Sequence, residues 1–226
     1  MRTPVSATSL LAVALLFGCG EPAEPEPVAA APAAETAPAD DFLARIAQHC
    51  GQAFAGTIVA NEPPPADDDP FAGQLLVMHV RECSAEQIKV PFHVGDDRSR
   101  TWVLTRTEGG LKLEHDHRHE DGSDDEVTMY GGETAAPGTP IRQEFPVDSH
   151  SIRMFEAAGL TASVTNVWAM EIEPGRRFLY ELARPGQGRL FRVEFDLTTP
   201  VPAPPAPWGH PELGAQGAHP VGATTR

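Results

Sequence analysis

The sequence predicts an all-β fold, a single antiparallel up-and-down barrel of about nine or ten strands with one or two short helices. Three observations predict it. Apolar and polar residues alternate with period two through much of residues 42–197, as in Ile88-Lys89-Val90-Pro91-Phe92-His93-Val94 and Phe191-Arg192-Val193-Glu194-Phe195-Asp196-Leu197. Short connectors rich in Gly and Asp separate these runs and suit hairpins. The runs follow one another with a single helical interruption, which favours a closed meander over a sandwich, because closure removes the exposed strand edges.

Before the domain lies a segment with another purpose. Met1-Arg2 carries one positive charge, Leu10 to Phe17 is apolar, and Leu16-Phe17-Gly18-Cys19 ends on a small residue and a cysteine. This order is that of a secretory signal, and the apolar run is shorter than the roughly 20 residues a membrane span needs. The tetrapeptide resembles the lipobox of bacterial lipoproteins. The resemblance implies removal of residues 1–18, lipidation of Cys19 and attachment to the cell envelope. With Gly20 after the cysteine rather than Asp, it further implies the outer membrane of a Gram-negative host, facing the periplasm.

Residues 19–41 hold the lipidated Cys and a run composed largely of Ala, Pro and Glu, which cannot form a core and reads as an extended, disordered tether. Residues 198–226, containing Val201 to Pro220 with its repeated prolines, read as a disordered tail in which Trp208 is the candidate for docking back. The domain proper is expected over residues 42–197.

Within it, Phe42 to Cys50 predicts a short helix with Phe42 and Ile46 on one side, capped by Asp40 or Asp41. Strands are expected over Ala53 to Ala60, Gln74 to Glu82, Gln87 to Val94, Arg100 to Thr107, Gly110 to His119 and Glu126 to Tyr130. Pro91 implies an edge or a bulge, and His93 falls on the outward face. Gly131-Gly132 to Thr139-Pro140 reads as a loop, and Glu144 to Val147 as a short extended piece. Asp148 should cap a helix from Ser149 to Ala158, closed by Gly159. Ser163 to Glu173, Arg177 to Ala183 and Arg189 to Leu197 complete the strands. A closed meander of this size is lipocalin-like in architecture.

Composition sets limits on function. The formal charge is -15, and becomes -16 once Arg2 is removed with the signal, leaving 16 basic residues against 32 acidic ones. No basic stripe is present, so nucleic acid is an unfavourable partner, and the membrane is held through lipid alone. With Cys19 lipidated, Cys50 and Cys83 remain as an even pair in an oxidising compartment and are expected to form a disulfide.

Polar chemistry concentrates in Gly110 to Glu126, GLKLEHDHRHEDGSDDE. Alternation puts Leu111, Leu113, His115, His117 and His119 on one strand face, so His115 and His117 follow the leucines inward. Two histidines two apart on a strand lie ~6 to 7 Å apart at Cα, close enough for one metal ion, zinc by default. His119 needs a bend to join them, and His79, His93, Glu144 or Asp148 are the candidates for completing the set. The plainer alternative is a charged hairpin end whose imidazoles bond carboxylates. Asp121 to Glu126 offers oxygens for calcium, but His117 stands where the first loop ligand of the helix-loop-helix pattern belongs. No GxSxG elbow supports a hydrolase; Asp148-Ser149 reads as a helix cap, and Glu171 and Glu173 as solvated strand residues. Trp102 and Trp168 become ligand contacts if the barrel is hollow. The domain also resembles bacterial exported proteins with similar segments around Ser99 to Trp102, His115 to Ser123 and Tyr130 to Gly132, a resemblance that implies export and no particular activity.

The functional expectation is a lipid-anchored binding domain for a small molecule or an envelope partner. The alternatives are a zinc-type enzyme using His115 and His117, and a structural envelope protein.

Overall fold

The computed structural model describes residues 37–64 and 69–213. The expected signal peptide, Cys19, the expected tether up to residue 36 and the end of the tail lie outside the described residues.

The chain forms helix α1 (Pro38–Ala47), strands β1 (Ala53–Glu62), β2 (Leu76–His79), β3 (Glu82–Cys83), β4 (Gln87–Val94), β5 (Asp97–Arg106), β6 (Leu111–His117), β7 (Tyr130–Glu133) and β8 (Arg142–Pro146), helix α2 (Ser149–Ala157), and strands β9 (Val167–Glu173), β10 (Arg177–Arg184) and β11 (Arg189–Asp196). All strand pairings are antiparallel, in the order β7-β6-β5-β4-β2-β1-β11-β10-β9-β8, with β3 beside β4. The fold is therefore the predicted all-β one, a nearly closed barrel-shaped sheet with two α-helices among the described residues.

The seam between β7 and β8 is closed by contact and not by a ladder. Asp148 N–H donates to Gly131 O at 2.9 Å. Ser151, in the first turn of α2, accepts from Gly131 N–H at 2.8 Å and donates to its carbonyl at 3.2 Å. A Cβ on Gly132 would stand 1.8 Å from Pro146 O, so only glycine permits this approach. That explains why β7 covers Tyr130–Glu133, where the sequence reads as a loop, and not Glu126 to Tyr130. The latter segment instead runs beside the end of β6, with Asp125 and Met129 donating N–H to His117 O and His115 O.

Other departures have local causes. Helix α1 starts at Pro38, four residues early, because proline suits the first helical turn; Asp40 pairs with Arg106 instead of capping. The expected strand Gln74 to Glu82 splits into β2 and β3. Pro91, which cannot donate to a ladder, lies in β4 between the stretches paired with each. A 3-10 turn over Thr161–Thr165 precedes β9. Cys50 and Cys83 form the expected disulfide, tying the end of α1 to β3. Glu171 is bonded rather than simply solvated: Arg142 and Arg177 reach it at 2.7 Å each, in an outer-face ladder that also takes in Glu173, Glu181 and Arg192.

The reading of the whole tail as disordered is corrected for residues 198–213. This segment straps across the outside of the sheet. Val201 N–H donates to Ala53 O, Trp208 N–H to Arg98 O, and Arg98 Nη1 to Ala206 O at 3.2 Å. Arg81 reaches Pro211 O, and His210 Nε2 meets Asp116 Oδ2 at 3.2 Å. Proline favours such an extended path because its φ is already fixed, and outward-facing His93, Thr101 and Asp116 are consequently buried.

Candidate functional site

Inward alternation places Ile88, Val90 and Phe92 on β4, Trp102 and Leu104 on β5, Leu111, Leu113 and His115 on β6, and Phe178 and Tyr180 on β10, all in the buried core. Helix α1 contributes Phe42 and Ile46 to that core near one end of the barrel, where Asp40 meets Arg106 and His49 accepts from Gly175 N–H. The opposite end, at His117, Arg100 and Arg189, is open. There a cavity of about 160 Å³ is lined by aromatic rings, the two imidazoles and two guanidinium groups.

The histidine pair is held in a hydrogen-bond chain whose direction follows from its ends. Tyr130 O can only accept, so His115 Nδ1, 3.1 Å away, carries the proton. His115 Nε2 is then an acceptor, and the Tyr180 hydroxyl donates to it at 2.8 Å. The Tyr180 ring in turn stacks on Trp102 with centroids 4.4 Å apart. The Tyr130 hydroxyl lies 3.2 Å from His117 Nε2, and its ring stacks on His115 with centroids 4.7 Å apart.

Burial sets the protonation. It drives His115 down to about 3, helped by His117, and His117 down to about 4, helped by Arg100. It pushes Tyr130 up to about 12 and Tyr180 well above the usual phenol value. All four are neutral at neutral pH. Such groups are poor proton carriers there, since a working general base or acid has its pKa near the operating pH.

These facts decide how each predicted site residue stands. His115 and His117 are brought together inside the barrel, but both nitrogens of His115 are occupied by protein partners. His119 is exposed beyond the end of β6. Among the described residues no three or more His, Cys, Asp and Glu side chains gather as a metal-ligand set. At the expected zinc residues His115, His117 and His119, a tyrosine hydroxyl and a backbone carbonyl take both nitrogens of His115, and the Tyr130 hydroxyl stands at Nε2 of His117. Trp102 lines the cavity. Trp168 does not; it is buried behind His115, with ring centroids 5.0 Å apart. Asp148 is the cap of α2, accepting from Ser151 N–H at 2.7 Å.

Arginines were absent from the sequence expectations for the site. Arg100 bonds Asp97 Oδ2 at 2.5 Å and stands 5.9 Å from the centroid of Phe71. Arg189 donates to Asn61 Oδ1 at 2.7 Å and Glu62 O at 3.2 Å, over the ring of Phe191. Its partners are neutral, and no carboxylate pairs with it among the described residues. The only signal in the sequence is position: Arg189 falls on the inward phase of β11, two residues before Phe191. A scan against protein-family models and searches of curated proteins and of solved structures found no match.

Proposed function

We propose that this chain is a lipid-anchored cell-envelope protein, attached through Cys19 and facing the periplasm from the outer membrane, whose barrel mouth binds a small organic acid. The observation that carries the binding reading is Arg189, a cation over an aromatic-walled cavity with neutral partners only among the described residues. Cavity size narrows the ligand. An apolar cavity of about 150 Å³ holds one benzene ring, so a single ring bearing a carboxylate matches the space here. Phe92, Trp102 and Tyr180 already stack on one another and supply ring faces. The neutral His/Tyr chain orients those walls and adds no charge to repel an acid.

Calorimetric titration of the full chain with benzoate and with benzyl alcohol tests the mouth. Benzoate should bind at least tenfold more tightly, and Arg189→Ala should erase the difference. Equal binding of acid and alcohol, or no binding of either, removes the proposal and leaves the structural envelope role. The anchor is tested separately by labelling cells with an alkyne fatty acid. Wild type should incorporate the label, and Cys19→Ala should not.

A further inference from the structure

The strap over residues 198–213 encloses a second cavity, of about 390 Å³, on the outside of the barrel. Its walls include Leu75, Val77 and His93 from the β2–β4 surface, Arg98 from β5, and Pro204 and Trp208 from the strap. Two buried nitrogens of these walls lack a hydrogen-bond partner among the described residues: His93 Nε2, on a side chain only 3% exposed, and Trp208 Nε1.

The chemistry of these groups selects a ligand. An indole N–H and a guanidinium only donate, so they call for acceptors. The field has the same sign: Arg98 and Arg81 act on His93 as positive neighbours, with Asp97 opposing them. Asp96 and Glu120 also reach the cavity, but both are exposed, where water screens them. The remaining wall is aliphatic apart from one indole.

We propose that the cavity beneath the strap is a binding site for a small organic anion, its carboxylate on the buried nitrogens of Trp208 and His93 and its aliphatic body against Leu75, Val77 and Pro204. The site is separate from the barrel mouth and does not depend on what the mouth binds. It also gives the strap a part in binding, because Trp208 and Pro204 exist at this surface only while the strap is docked.

The three tryptophans report on separate places: Trp102 at the mouth, Trp168 in the core and Trp208 under the strap. The full chain, labelled with nitrogen-15, is titrated with octanoate while the three indole N–H resonances are followed by NMR, with Trp208→Phe providing the assignment. Octanol and inorganic phosphate serve as the two halves of the ligand. The Trp208 resonance should shift saturably with octanoate, at least tenfold more tightly than with either half. His93→Leu should weaken this at least fivefold, and Arg189→Ala should leave it unchanged. If His93→Leu does not fold, Trp208→Phe must show the same weakening by calorimetry. A Trp208 resonance that stays still, octanol or phosphate binding as tightly as octanoate, or a loss of binding in Arg189→Ala overturns the proposal.

Discussion

Acid should unfold this domain through its buried histidines before its carboxylates titrate, and His117→Gln isolates the effect. His117 is lowered from 6.5 to about 4, by burial first and by Arg100 second, with Asp125, Asp97 and Asp116 opposing. A base whose folded pKa is depressed stays neutral in the fold while the unfolded chain takes up a proton. Its contribution is intact above about pH 6.5 and is lost as pH falls from there towards about 4. Between pH 7.5 and 5 the loss spans about 1.5 pH units, or about 2 kcal/mol for His117. His115, lowered to about 3, loses a similar amount over the same window. Together they remove about 4 kcal/mol from a stability that for such domains totals about 5–15 kcal/mol. The lowered carboxylates, Asp97, Asp116 and Glu171, act only at lower pH. The assay is urea unfolding at 25 °C at pH 7.5, 6 and 5, followed by tryptophan fluorescence. Whatever Gln costs at pH 7.5, the variant should lose about 2 kcal/mol less than wild type between the two extremes. Parallel pH dependences, agreeing within about 0.5 kcal/mol, would refute the placement of His117 as a neutral interior group.

Two further outcomes test the frame. Gly132→Ala drives a methyl into Pro146 O at the β7–β8 seam, a backbone clash that a side-chain rotation cannot relieve. It should cost about 3 kcal/mol or more, seen as a lower urea midpoint with faster amide exchange in β7 and β8. Replacing both Cys50 and Cys83 by Ala opens a loop spanning 33 positions, and chain entropy assigns that closure about 4 kcal/mol; thermal unfolding should report the loss, and reductant should change the wild type but not the variant.

Where burial is periodic, the fold is legible in the sequence. Gln87–Val94 is the expected strand residue for residue, because Ile88, Val90 and Phe92 need one face covered. Helix α2 is legible for the same reason, through Asp148 and Phe155. Strand β7 is not, since Gly131 and Gly132 are chosen by a seam formed with residues far along the chain, and glycine pairs ordinarily mark turns. The strap escapes for a related reason. Pro-rich sequence carries no period, and Thr101, Asp116 and His93 look like solvent-facing residues until something lies over them.

The histidine cluster shows most clearly how local order and chemistry part company. Period two places His115 and His117 inward correctly, yet their role depends on Tyr130 and Tyr180, 15 and 65 positions after His115. A buried imidazole costs little only when both nitrogens are satisfied, so the first question about it is which partner the fold delivers. Here the partners are hydroxyls and a carbonyl, which fix the rings, while burial keeps them neutral. Chemistry at the mouth therefore passes from the conspicuous histidines to Arg189, whose charge meets only neutral groups among the described residues. On the function proposed above, the carboxylate of a small acid pairs with that guanidinium.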